Sequence, residues 1–180
     1  MQSFFRFLLY RLMGWSVELC EPLPAKYIIA LAPHTSNWDF VMGQLFSRAE
    51  GFRCQFLMKK EWFRGPLGRY FRHVGGIPVE RSRHTSMTDQ LAKIAMESDT
   101  FSLCITPEGT RKPTSEWKRG FYYIALKAQL PILLFGLDYA QRRIVFRKVV
   151  IPNGDVEQQM AEIKEYYKDF KGKYPENFIL

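Results

Sequence analysis

A series of short, predominantly apolar runs at 27–32, 101–106 and 132–137, separated by longer stretches with helical patterning, constrains this chain more than any other feature. A strand with no polar side must be covered on both faces, which is the situation of strands in a parallel sheet whose crossovers are helices. Further strands are predicted at 52–58, 76–79 and 143–150. Helices are predicted at 37–49, 85–97, 119–128 and 155–170, with a short basic and aromatic helical stretch at 60–71. The expected class is therefore α/β: a mainly parallel, mixed central sheet flanked by helices on both faces. At 180 residues the chain can bury one core of useful size. No repeat or linker divides it, and the expected organisation is an amphipathic helical segment over 1–20 followed by one domain over 21–180.

Sheets of this class gather function in the loops beyond the carboxyl ends of their strands. The segments that follow 27–32, 76–79 and 101–106 are PHTSNWD, ERSR and PEGTRKP, all rich in polar residues. In the first, His34 lies in a loop and Asp39 falls in the first turn of the next helix, where the positive end of the helix dipole attracts a carboxylate. Ser36 or Asn37 is the expected helix cap. A ring folded back onto that carboxylate would hold Nδ1–H and turn Nε2 toward a cleft, the arrangement of an oriented general base. Alone the spacing is weak, since a chain with three histidines would carry it by accident about one time in ten.

In PEGTRKP, Gly109 permits a tight turn whose amides can receive an anion, and Thr110 follows it. Arg111 adds a fork of donors matched to phosphate oxygens. Glu108 would either pair with Arg111 or hydrogen-bond a substrate hydroxyl. Arg81, after the strand at 76–79, is a candidate second phosphate contact, and Lys59, at another strand end, is a candidate for the same anion site.

The formal net charge of +8 favours anionic partners: nucleic acid, a phospholipid surface or a phosphorylated substrate. Nucleic acid is not expected, because the aromatic residues lie in apolar runs instead of alternating with basic ones on a strand. Cys20, Cys54 and Cys104 show no metal-ligand spacing and read as free thiols in a reducing compartment; no metal site is expected. The opening segment MQSFFRFLLYRLMGWSVELC is interrupted by Arg6 and Arg11 and falls short of the ~20 apolar residues of a spanning helix. It also lacks the pattern of a secretory signal. Its apolar stripe either lies in a membrane headgroup region or packs on the protein's own core.

Taken together, these segments resemble the lysophospholipid and glycerol-phosphate acyltransferase family. The resemblance rests on PHTSNWD at 33–39, KKEWFRGPLG at 59–68, GGIPVER at 75–81, PEGTR at 107–111 and LPILLFG at 130–136, in the family's order. It implies that His34 is the general base and Asp39 its orienting partner. It also implies that Arg111 and Arg81 bind an acceptor phosphate, with Glu108, Gly109 and Thr110 shaping that site. The implied donor is acyl-coenzyme A or acyl-carrier protein, used as co-substrate without a metal or other cofactor. The implied acceptor is the hydroxyl of a phosphorylated lysolipid such as 1-acylglycerol-3-phosphate, met at an anionic membrane surface. The implied location is cytoplasmic, peripheral on the inner face of the cell membrane. Pro33 stands where the family has Asn, Trp62 where Leu is common, Glu80 where Asp is typical, and Lys112 where Ser is frequent. A different lipid acceptor, or an idle membrane-binding module, are the alternative readings.

Overall fold

The computed structural model describes residues 1–19, 22–51, 53–79 and 84–180. The chain begins with helix α1 (Gln2–Arg6), which continues as a wider helical stretch at Phe7–Leu12. Strands β1 (Ser16–Leu19) and β2 (Lys26–Ala32) follow, then helix α2 (Trp38–Glu50) and strand β3 (Gln55–Lys59). A 3-10 turn at Lys60–Phe63 leads into α3 (Gly65–His73), β4 (Gly76–Val79), α4 (His84–Glu97) and β5 (Phe101–Ile105). The remainder is α5 (Gly120–Ala128), β6 (Ile132–Asp138), β7 (Arg143–Val150) and α6 (Val156–Tyr167).

Among the described residues, seven strands form one sheet in the order β1-β7-β6-β2-β5-β3-β4. Strands β6, β2, β5, β3 and β4 run parallel; β7 turns back antiparallel to β6, and β1 pairs parallel with β7. This is the mixed, mainly parallel sheet expected from the apolar runs. The alternation of a strand's side chains divides the core into two layers. Ile28, Ala30 and Ala32 of β2 pack with Leu91, Phe121, Tyr122, Ile163 and Tyr167 of α4, α5 and α6. Tyr27, Ile29 and Leu31 face the other way, onto Leu9, Met42 and Phe46 of the N-terminal helix and α2. Both layers are closed by helices, so the central strands have no polar face to spare.

The N-terminal segment departs from its expected boundaries. The helix predicted over 1–20 stops at Leu12, and Ser16–Leu19 instead forms an edge strand. Gly14 at φ +68° breaks the helix, since that backbone conformation is open to glycine at little cost. The strand escapes sequence reading because it is short and its partner, β7, is more than a hundred residues away. The helix itself divides its apolar residues: Leu9 is fully buried and Phe5 packs on the same core layer, whereas Phe4, Phe7 and Leu12 are exposed. Among the described residues, no helix is long and apolar enough to cross a membrane. The stretch predicted as one helix at 60–71 is two pieces, broken at Gly65 with φ +59°. Cys54 and Cys104 are free thiols beside the second core layer, and Cys20 lies outside the described residues.

Gly136 of β6 shows how tightly the segment just after α6 closes on the sheet. A Cβ built there would lie 2.0 Å from Cε1 and 2.5 Å from Cζ of the buried Phe170 ring. Gly136→Ala is expected to destabilise the fold by about 1–3 kcal/mol through overpacking. Urea denaturation would register this as a lower midpoint at unchanged slope; an unmoved midpoint would mean that Phe170 swings aside at no cost.

Candidate functional site

Strands β2, β5 and β3 run in the same direction, so their carboxyl ends deliver the loops beginning at Pro33, Thr106 and Lys60 to one rim of the sheet. The loop after β2 contains His34 and leads into α2. Its conformation is dictated by Asp39, which is only 1% exposed. One Asp39 oxygen, Oδ2, accepts the backbone N–H groups of Thr35 and Ser36, each at 2.9 Å, and lies 3.1 Å from Nδ1 of His34. The other, Oδ1, accepts the Tyr139 hydroxyl at 2.8 Å. A carboxylate removed from water must be satisfied by donors, and these four satisfy it at the helix end whose dipole also favours it. The Ser36 hydroxyl accepts the Trp38 amide, and Asn37 makes no side-chain cap.

His34 is thereby held by its Nδ1 side, with its side chain 17% exposed. If Nδ1 carries the proton donated to Asp39, Nε2 bears the lone pair, and among the described residues Nε2 has no hydrogen-bond partner. The ring is therefore oriented but chemically available.

The loop after β5 fixes the same segment from the other side. Both carboxylate oxygens of Glu108, at 3.0 and 3.1 Å, accept the backbone N–H of His34. Glu108 is buried, and no ion pair with Arg111 occurs among the described residues. The pair with Arg111 predicted from the sequence is therefore not formed, and the His34 amide takes its place. Burial pushes the Glu108 carboxyl up to about 7; the His34 N–H bond opposes that rise and the nearby Asp39 charge adds to it. Gly109 takes φ +64° and its N–H bonds to the Thr106 carbonyl, closing the turn. Thr110 accepts the Lys112 amide. Arg111 and Lys59 are exposed at this rim, and Arg81 lies outside the described residues.

Two contributors were not anticipated. Tyr139 sits just past the carboxyl end of β6, a strand parallel to β2, so the rule that pointed to the other loops also applies to it. Burial, reinforced by the Asp39 charge and hydrogen bond, pushes its hydroxyl well up, which keeps it a donor. The second contributor is the segment after α6. The Lys171 carbonyl accepts the Tyr139 amide, the Thr35 hydroxyl accepts the Tyr174 amide, and Lys173 Nζ lies 4.4 Å from the centre of the Trp38 ring. Nothing in the sequence of 171–174 signals that contact, because it depends on where α6 ends.

With this geometry in view, the relatives fall into place. The chain belongs to the Acyltransferase family, whose model matches residues 15–136 and so includes the His34 and Glu108 loops. It is 30% identical over 116 residues to human 1-acyl-sn-glycerol-3-phosphate acyltransferase beta, an alignment covering 61% of this chain and 40% of that protein. The chain thus spans less than half the length of that curated relative. Its fold is similar to the crystal structure of the 1-acyl-sn-glycerophosphate (LPA) acyltransferase PlsC from Thermotoga maritima, with a TM-score of 0.67 and 19% identity. That match covers 93% of this chain and 75% of the other.

Glu108 gives the site a signature in stability. A carboxyl that titrates near 7 when folded and near 4.5 when unfolded binds its proton more tightly in the native state. Its contribution is therefore complete below about 4.5 and is lost as pH rises toward 7. Glu108→Gln removes this slope. The stability difference, wild type minus Glu108→Gln, is expected to fall by roughly 1 kcal/mol per pH unit across that window and to level off above it. Urea titrations of both proteins through the window test this, and parallel profiles would contradict it.

Proposed function

We propose that this protein is an acyltransferase that moves a fatty acyl group from a thioester to the hydroxyl of a phosphorylated lysolipid. The observation that carries the reading is the His34 Nδ1 contact with Asp39 Oδ2, which leaves Nε2 as an oriented base with no protein partner among the described residues. In the proposed step, Nε2 takes the proton of the acceptor hydroxyl as its oxygen attacks the thioester carbonyl. The tetrahedral intermediate then collapses with cleavage of the C–S bond, and the imidazolium returns the proton to the departing thiolate. The products are an ester and a free thiol. Asp39 holds the ring and stabilises the imidazolium. No acyl-enzyme, metal or other cofactor enters the scheme.

The donor in this reading is acyl-coenzyme A or acyl-carrier protein. The acceptor is 1-acylglycerol-3-phosphate, the substrate carried in the names of both relatives. Arg111, and with it Arg81 and Lys59, would meet the acceptor phosphate, while Glu108, Gly109 and Thr110 set the shape of the turn. The exposed Phe4, Phe7, Leu12 and Arg11 of the N-terminal helix support work at an anionic membrane surface.

His34→Ala is expected to lower transfer by ~10²–10⁴-fold, the range of general base catalysis, with unchanged circular dichroism. Release of thiol from acyl-coenzyme A in the presence of lysophosphatidic acid measures it. Near-full activity in the variant would rule the mechanism out, and vesicle binding without thiol release by the wild type would indicate an idle module. Arg111→Ala is expected to raise the apparent KM for the phosphorylated acceptor about tenfold or more, as loss of a charge-assisted contact does. An unchanged KM would place the phosphate elsewhere.

A further inference from the structure

The 3-10 turn and α3 form an outward-facing basic and aromatic surface that the proposed chemistry does not use. Of residues 60–73, only Phe63, Gly68 and Phe71 are buried. The Phe71 ring, with its centre 6.2 Å from that of Phe63 and 6.4 Å from that of Phe40, anchors the helix. Gly68 lets it approach closely, since a Cβ there would lie 2.2 Å from the Phe63 carbonyl oxygen. The opposite side is open. Trp62 is 53% exposed, Leu67 49% and Tyr70 44%.

At helical spacing, Leu67 and Tyr70 line one side of the outward face while Arg69 and Arg72 line the other. Lys60 and Arg64 extend the charge toward Lys59 of the proposed acceptor site, and Glu61 is the one acidic residue between 59 and 73. Among the described residues, Lys59, Arg64 and Arg69 have no acidic partner. Exposed large apolar side chains within a cluster of cations suit a surface that is apolar below and anionic above, as a phospholipid headgroup layer is. An acidic protein would match the charge but would give no comparable place to Trp62 and Leu67.

We propose that the face formed by Trp62, Arg64, Leu67, Arg69 and Tyr70 docks on an anionic phospholipid bilayer. The turn starts directly after Lys59, at the same sheet rim that carries His34 and Glu108. Docking there would bring the rim to the membrane and shorten the path of a lipid acceptor to Nε2. That consequence rests on the acyltransferase reading; the docking itself does not.

The test is co-sedimentation of the full chain with vesicles of phosphatidylcholine alone and of phosphatidylcholine containing one-third phosphatidylglycerol. R64E/R69E is expected to lower partitioning on the anionic vesicles by roughly tenfold or more, since each cation near such a surface contributes about that order. W62S/L67S, a second variant with its charge intact, is expected to weaken binding to the same vesicles severalfold. Both should retain wild-type turnover of a short-chain acceptor dissolved as monomers. Wild-type vesicle affinity in both variants would overturn the proposal. So would vesicle affinity unchanged while transfer from acyl-carrier protein alone fails, which would assign the face to an acidic protein. If the wild type turns over no acceptor yet loses vesicle binding on these substitutions, the acyltransferase reading fails and the docking face stands.

Discussion

The rim of this sheet is organised around one buried carboxylate. Asp39 lies in the first turn of α2 with almost no contact with solvent, and it stays there because four donors converge on it. Two are backbone amides of its own loop, which wrap the chain around the helix end. The third is the His34 ring, and the fourth is a hydroxyl from beyond β6. Removing any one would leave a buried charge short of a partner, a costly condition. The loop conformation, the ring orientation and the position of Tyr139 are therefore consequences of the same requirement.

Glu108 supplies the complementary restraint. Where Asp39 fixes the ring, Glu108 fixes the backbone that carries it, by accepting the His34 amide with both oxygens. Two carboxylates thus approach one histidine, that of Asp39 from the first turn of α2 through the side chain and that of Glu108 from the loop after β5 through the main chain. Their environments differ: the Asp39 carboxylate gathers four donors, while the buried Glu108 carboxyl is pushed up to about 7. The parallel sheet makes this possible, because adjacent strands end at the same level and their loops meet without long excursions. The segment at 171–174 closes the arrangement from outside by bonding to Tyr139 and Thr35.

Much of this was legible in the sequence because it is encoded locally. Short, predominantly apolar runs alternating with longer helical patterns read as strands covered on both faces, so β2, β5 and β6 and the α/β class follow from local pattern. The spacing of His34 and Asp39 lets a loop residue reach the first helical turn, and the structure forms that contact. Gly109 announces its own turn, and the structure gives it φ +64°. What failed to show depended on distant partners. Ser16–Leu19 becomes a strand only because β7 offers it an edge.

By itself, the sequence determined the class of fold, the rim on which polar loops gather, and the placing of a loop histidine within reach of a helix-start aspartate. Each is set by the order of apolar and polar residues over a few turns or strands. Only the tertiary structure decided that Glu108 bonds to the His34 backbone instead of to Arg111. It alone also decided that Tyr139 completes the shell around Asp39 and that the 3-10 turn and α3 leave Trp62, Leu67 and Tyr70 facing outward. Those outcomes depend on which strands become neighbours and which helix faces find a partner, and separations of a hundred residues leave no trace in local pattern.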